Sequence, residues 1–441
     1  MMSRAVPYQE NPTGLVALLP DGRVRYLHPT AKPVIDSYNR NLEHAEELDL
    51  EDFIIDSPLV ELKQFHLSAP AIAFIETTNL CNLRCTHCYA SSGERRESEM
   101  STQRILKLLD EFADMGVLQV FLTGGELFAH YDAVDIIRYA RTKPFSTQIF
   151  SNGLLITEEK LRRIPPGQSF FISFDTAVPE RTIRGRMDFP KLRKCFELIK
   201  QYGHVVRTAV SVHRYNINDV EEIFEWCVEN NYPRPQWLET HPIGRALLHP
   251  HILLTPDQID EVLTVYTRCM DRYQHSINDV DESSGALQEA GGTRSQAIAG
   301  VDTIKFCQQL ERATGQEKCG RSVVYVNSSG EVYPCSNCMS NNAYKAGNIV
   351  ECSFKQVWDE GFNEFRSIVF DDFNRCKSCA VHQNDIWCQF KCPPLSMNVT
   401  GSPNECGATE YLRIFMLRAN EYWTTRKNQG FKLNLMASTA R

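Results

Sequence analysis

The chain has 441 residues, 42% hydrophobic and 23% charged, enough apolar material for two to four packed domains. A formal net charge of −8 without a long basic run argues against a nucleic-acid partner. No stretch approaches the ~18 apolar residues that span a bilayer, and the start lacks an apolar signal core, so no membrane is expected and the cytoplasm is the default location. The unusual quantity is 16 cysteines, which in a reducing compartment point to metal or redox chemistry rather than disulfides.

In chain order, LVALL and RVRYL flank Pro20-Asp21-Gly22 and predict a β-hairpin. Leu48, Leu50, Phe53, Ile54 and Ile55 predict a helix, so residues 1–68 read as a small α+β module. Over residues 69–275 β-rich runs alternate with helical periodicity. Strands are expected at 71–77, 118–123, 146–151, 169–175, 205–212 and 235–240. Apolar stripes such as Ile105-Leu108-Leu109-Phe112 and Val220-Ile223-Phe224-Cys227 place helices between them. Helices of that length require parallel pairing through right-handed crossovers. Six such units suit a partial or full β/α barrel, with its chemistry at the C-terminal strand ends. Cys195, Cys227 and Cys269 fall within apolar helical stripes and are expected in the core. Residues 276–306 read as a linker or mobile loop, 307–425 as a cysteine-rich domain, and 426–441 as a tail.

Cys81, Cys85 and Cys88 lie in TTNLCNLRCTHCYA, directly after the first barrel strand. Three thiolates can hold three corners of a [4Fe–4S] cluster and leave one iron open to an outside ligand. Zinc would need a fourth protein ligand, and His87, adjoining Cys88, is awkwardly placed to converge with the thiolates.

CNLRCTHC after a first strand, followed by TGGE at the end of a second, resembles the radical S-adenosylmethionine (SAM) enzymes over residues 71–245. The resemblance implies a partial (β/α)6 barrel and an open cluster iron chelated by SAM. By the same resemblance Gly124, Gly125 and Glu126 hold the SAM amino group, where glycine admits close backbone approach and a carboxylate pairs with an ammonium. Ser173 and Asp175 in ISFD match a strand whose serine contacts SAM, and Arg184 in RTIRG matches an arginine that meets the SAM carboxylate. Asn152 in SNG stands where many members carry TNG, and His87 replaces the usual aromatic beside the adenine. PIGRA (242–246) closes the barrel as in related enzymes.

Further on, Cys319-x10-Gly330-x4-Cys335 and Cys376-x2-Cys379-x8-Cys388-x3-Cys392, then Cys406, resemble the SPASM extension with its two auxiliary [4Fe–4S] clusters. The x8 interval is longer than the family's common gap and reads as a loop insertion. By resemblance, Cys319, Cys335 and Cys392, with Cys307, bind one auxiliary cluster; Cys376, Cys379, Cys388 and Cys406 bind the other. Cys338 and Cys352 have no place in that pattern, and either could replace Cys307. A zinc ribbon is the alternative for the same cysteine pairs.

Within the family the chain is most similar to peptide maturases of ribosomally made natural products, of the subtilosin thioether and mycofactocin types. The implied function is reductive SAM cleavage to a 5′-deoxyadenosyl radical, hydrogen abstraction from a precursor peptide, and an intramolecular cross-link or other oxidative modification. Flavodoxin or ferredoxin would donate the electron. Residues 1–68 resemble a leader-peptide recognition element; a barrel-capping extension is equally open, and the hairpin edge is where a peptide strand would add. The competing functions are a sulfatase-maturase-like or small-molecule dehydrogenase, and a non-enzymatic zinc protein.

Overall fold

The computed structural model describes residues 5–11, 14–20, 23–42, 48–55, 66–273, 318–339, 341–368, 378–380, 393–402, 405 and 417. At the N-terminus, β1 (Tyr8–Asn11), β2 (Gly14–Leu18) and β3 (Val24–Leu27) form an antiparallel sheet. Helix α1 (Lys32–Arg40) follows. The expected hairpin is present as β2 and β3, but β1 and α1 were not anticipated. The helix expected around 48–55 is a single 3-10 turn at Glu51–Phe53, after which Ile54 bridges Leu27. Its apolar residues pair with a strand edge instead of continuing a helix: His28 N–H donates to Phe53 O and Ile55 N–H to Tyr26 O. The C-terminal end of the outer edge of β3 is therefore occupied, and β1 is the edge strand on the other side of this sheet.

The six expected barrel strands are all present: β4 (Ile72–Glu76), β5 (Gln119–Thr123), β6 (Ser146–Ser151), β7 (Ser169–Ser173), β8 (Val205–Val212) and β9 (Gln236–Glu239). They pair in parallel in that order. Helices α2 (Thr102–Asp114), α3 (Ala133–Ala140), α4 (Glu158–Arg163), α5 (Phe189–Gln201) and α6 (Val220–Glu229) make the crossovers, and α7 (Pro256–Tyr273) follows β9. Their starts follow from capping: the Ser101 side chain accepts from Arg104 N–H, and Asp188 from Lys191 N–H. Ile105, Leu108, Leu109 and Phe112 form the buried face of α2. Cys195, Cys227 and Cys269 are all buried.

The cysteine-rich region joins this sheet. Strand β10 (Val323–Val326) lies parallel to β4, with Val324 opposite Ala73, and β11 (Glu331–Tyr333) and β12 (Gly347–Asn348) extend the edge antiparallel. The sheet therefore has nine strands, in the order β12-β11-β10-β4-β5-β6-β7-β8-β9. The β10–β11 turn falls at Ser329-Gly330 as expected, with Gly330 at φ +80. Helices α8 (Phe354–Glu360), α9 (Asn363–Ser367) and α10 (Pro393–Thr400) complete this part. Trp358, fully buried, donates its indole N–H to Leu67 O at 2.9 Å.

Period-two alternation divides the strands between two cores. Ala73, Ile75, Val120 and Leu122 face the helices, whereas Ile72, Phe74 and Phe121 face inward. Inside, Tyr325, Phe74, Phe121, Phe150 and Phe171 stack across five strands with centroids 4.6–6.3 Å apart. Phe121, Phe171 and Tyr325 are buried and Phe74 and Phe150 partly so; full burial of one such side chain is worth about 1.5–3 kcal/mol. Val16, Leu18, Val24 and Tyr26 share the inner core with Leu118 and Val323, at the N-terminal strand ends. Gln9 donates to Pro70 O, and Tyr8 O lies against Gly116 so closely that a Cβ there would sit 1.9 Å away. The N-terminal module thus covers the end of the barrel opposite the cysteine loop.

Candidate active site at the C-terminal strand ends

The limb entering Cys81 rests on the two glycines that follow β5. Gly125 N–H donates to Thr78 O at 2.7 Å and Glu126 N–H to Leu80 O at 2.9 Å. A Cβ on Gly124 would lie 2.8 Å from Thr78 O, and one on Gly125 2.5 Å from Asn79 O. Only glycine admits that approach. Glu99 accepts from Asn79 N–H and Thr78 Oγ1–H, and Cys81 N–H donates to Gly93 O.

The other limb is clamped by the segment after β9. Arg245 donates from Nε to Cys85 O (2.8 Å), from Nη1 to Ser92 O (2.7 Å) and from its backbone N–H to Cys88 O (3.0 Å). Gly244, at φ +54, lies so near that a Cβ would be 2.4 Å from Cys88 O. PIGRA therefore grips the cysteine loop, a role that sequence reasoning assigned only to barrel closure. Its signal was the Gly-Arg pair just past the last strand.

The three thiols are half-buried and close enough to influence one another electrostatically. Burial pushes Cys85 up to about 12, against the opposing pull of Arg184, and also raises Cys81. Such thiols stay protonated unless a cation deprotonates them, which a cluster's irons do on binding. Among the described residues, no three His, Cys, Asp or Glu side chains converge as a single ion needs. A cluster is several atoms across and accepts thiols set further apart. The donor set and the rigid loop fit an iron–sulfur cluster.

The residues expected around SAM are gathered nearby, but several engage each other. The buried Glu126 carboxylate accepts at Oε1 from Phe128 N–H (3.1 Å) and Ser151 Oγ–H (2.8 Å), and at Oε2 from Asn152 N–H (2.7 Å). It stitches the end of β5 to that of β6 and keeps acceptor capacity for one more donor at Oε2. Desolvation raises its carboxyl above the usual range, against those three hydrogen bonds. Asn152 also donates from Nδ2 to Asn82 Oδ1 in the cysteine loop, at 2.8 Å. Arg184 forks onto Asp175, with Nη2 2.9 Å from Oδ1, and also donates to Ser211 Oγ. Despite its desolvation, the Arg184 charge holds Asp175 below the usual carboxylate range. The Arg184 guanidinium also engages the Cys85 thiol, so its charge links Asp175 to the cysteine loop. Ser173 is half-buried at the end of β7. Among the described residues the buried His87 Nδ1 has no hydrogen-bond partner, and desolvation with the Arg184 charge pushes the ring down to about 3.

A polar network that sequence reasoning missed adjoins the loop. Glu76, fully buried at the end of β4, accepts from Tyr325 Oη–H at 3.3 Å and faces Arg96 Nη1 at 3.4 Å. Tyr89, next to Cys88, lies 3.3 Å from the Tyr325 hydroxyl. A single carboxylate closing the apolar run AIAFI was the available signal.

Of the auxiliary ligands expected, Cys319 and Cys335 are buried together in the hairpin domain and Cys379 is partly buried. Cys307, Cys376, Cys388, Cys392 and Cys406, with the 276–306 segment and the 426–441 tail, lie outside the described residues. No helix among the described residues is long and apolar enough to cross a membrane.

Residues 75–227 match the Radical SAM superfamily, and residues 318–380 match an iron-sulfur cluster-binding domain, SPASM. The chain is 25% identical over 298 residues to the antilisterial bacteriocin subtilosin biosynthesis protein AlbA of Bacillus subtilis, covering 66% of this chain and only 60% of AlbA. It is 27% identical over 339 residues to the mycofactocin maturase MftC of Mycobacterium tuberculosis, covering 74% of this chain and 80% of MftC. In fold it is similar to Streptococcus suis SuiB in the crystal structure bound to precursor peptide SuiA, with TM-score 0.67 at 15% identity over 93% of this chain and 99% of that one. Residues 75–227 are thus a radical SAM domain and residues 318–380 a SPASM domain, a combination that implies [4Fe–4S] clusters and SAM as cofactors.

Proposed function

We propose that the chain is a peptide maturase that cleaves SAM reductively and forms an intramolecular cross-link, a thioether or a carbon–carbon or carbon–heteroatom bond, in a precursor peptide. The observation that carries this reading is the cysteine loop, seated on Gly124-Gly125 and gripped by Arg245, in one sheet with the SPASM hairpin. AlbA and MftC, both described as biosynthetic or maturation proteins, support the choice of a peptide substrate.

Cys81, Cys85 and Cys88 would hold the cluster, which when bound and reduced supplies the electron that converts SAM to methionine and a 5′-deoxyadenosyl radical. The remaining acceptor site of Glu126 would take the SAM ammonium, and the Arg184 guanidinium its carboxylate. The orphaned Nδ1 of His87 would gain a donor from the adenine side. Ser173 would complete the contacts. The layer of Phe74, Phe121, Phe150 and Phe171 walls the barrel interior with apolar surface and keeps water from a reactive species. A flavodoxin or ferredoxin would deliver the electron in the cytoplasm. Residues 1–68 would be the place where a leader peptide is read.

The test is anaerobic reconstitution of the full chain and of a Cys81→Ala, Cys85→Ala, Cys88→Ala variant. The wild type should form 5′-deoxyadenosine and remove two hydrogens, by mass, from a short peptide encoded beside it. The variant should form no 5′-deoxyadenosine while keeping roughly two clusters of iron. Undiminished cleavage by the variant would overturn the site, and wild-type cleavage without change to any peptide would overturn the substrate class.

A further inference from the structure

One side chain from beyond the last barrel strand spans the second half of the cysteine loop. Arg245 lies in the 3-10 helix Gly244–Leu248 and is only partly exposed. Its Nε donates to Cys85 O at 2.8 Å and its Nη1 to Ser92 O at 2.7 Å, so a single guanidinium ties the two ends of that stretch together. Its backbone N–H donates to Cys88 O, midway between them, at 3.0 Å. The loop's own bonds there are longer, with Cys88 N–H 3.3 Å from Cys85 O and Ser91 N–H 3.2 Å from Cys88 O. Gly244 permits the approach, since a Cβ there would meet Tyr89 O at 2.3 Å. All three Arg245 bonds end on main-chain carbonyls and use none of the loop's sulfur.

A loop that carries metal ligands must be ordered, and each residue it orders loses conformational entropy. A planar guanidinium donating to two carbonyls offsets that loss when the barrel folds, before any cluster arrives. Lysine is no equivalent: an ammonium on a flexible stem can reach one carbonyl but does not fix the spacing of two. Cys85 and Ser92 enclose Cys88, so the separation of their carbonyls sets where the last two thiols of the motif stand.

We propose that Arg245 is a positioning residue for the reaction: it holds the stretch from Cys85 to Ser92 in its ligand-ready form, so that the segment after β9 governs how firmly the loop retains its cluster. The role in retention rests on the iron–sulfur reading above. The holding of the loop does not.

The test compares the full chain with its Arg245→Lys and Arg245→Met variants, before and after anaerobic reconstitution with iron and sulfide. Amide hydrogen exchange is followed by mass spectrometry, and iron release to a chelator by absorbance. In both variants the peptide covering residues 85–92 should exchange at least about tenfold faster, as loss of a hydrogen bond from a charged donor implies. The peptide covering β6 should exchange as in the wild type. After reconstitution both variants should surrender about one cluster of iron early and keep the rest as the wild type does. Wild-type exchange at residues 85–92 in Arg245→Lys would overturn the proposal, and that variant decides if Arg245→Met fails to fold by circular dichroism. Equal acceleration in β6 would also overturn it, by making Arg245 a support of the whole barrel. A reconstituted wild type without iron–sulfur absorption would overturn the cluster reading and the role in retention, leaving the exchange of the loop as a separate result.

Discussion

Tyr325, on the first strand of the cysteine-rich hairpin, donates its phenolic hydrogen to Glu76, on the first strand of the barrel. Having one hydrogen to give, Tyr325 must accept from Tyr89, the residue after Cys88. Tyr89, Tyr325 and Glu76 thus form a directed chain from the cysteine loop, through the SPASM hairpin, to a buried carboxyl on the barrel wall. Register makes it possible, since Tyr325 stands opposite Phe74 on β4 and Glu76 lies two residues further along the same face.

Glu76 should make stability depend on pH. Desolvation raises its carboxyl from 4.5 to about 7, with Arg96 opposing. The folded state therefore holds a proton that the unfolded chain releases near 4.5. Stability is unaffected below that value, falls as pH rises toward 7, and levels off above it. The loss amounts to about 3 kcal/mol at most. Glu76→Gln keeps an acceptor for Tyr325 but cannot ionise, so its melting temperature should vary less between pH 5 and 8 than that of the wild type. Equal slopes would place the titration elsewhere.

Gly125→Ala tests the seat of the cysteine loop. The added methyl would lie 2.5 Å from Asn79 O and 2.6 Å from Leu80 O, both backbone atoms that cannot swing aside. Overpacking of this kind costs about 1–3 kcal/mol. The variant should lose about one cluster of iron and its 5′-deoxyadenosine formation, while iron in the C-terminal region persists. Iron analysis beside product chromatography checks it.

For Glu126→Gln the structure adds a stability effect to the effect on SAM. Two acceptor oxygens serving three protein donors become one oxygen and an amide that is itself a donor. Leaving a buried donor unmatched costs about 1–3 kcal/mol. SAM binding by calorimetry should weaken by about one to two decades. The melting temperature without SAM should also fall. A fall in affinity alone would mean that the contacts to Ser151 and Asn152 matter little to the fold.

Deletion of residues 1–68 should damage the whole barrel. The module covers Leu118 and Val323 at the N-terminal strand ends and shares their core. The truncated protein should bind a hydrophobic dye, melt at a lower temperature, and lose basal SAM cleavage together with precursor turnover. Selective loss of precursor binding, with unchanged basal cleavage and melting, would instead favour a leader-recognition surface.

Local pattern determined much of this protein. The alternation of apolar runs and helical stripes is a property of neighbours in the chain, so six strands and their parallel order were legible without a structure. So were the cysteine loop and the Gly-Gly-Glu turn, because both are contiguous and chemically distinctive. Tertiary structure decided what contiguity cannot encode. Residues about 250 apart pair β10 with β4 and bring Tyr325 to Glu76. Whether Phe53–Ile55 continue a helix or cover β3 depends on an unpaired strand edge, which exists only once the sheet has formed. The partners of Glu126 and Arg184 were likewise hidden, since a carboxylate or guanidinium binds whichever complementary groups the fold brings within 3 Å. Cys338 and Cys352 read alike in the sequence; burial beside Cys335 rather than on the barrel core separates them.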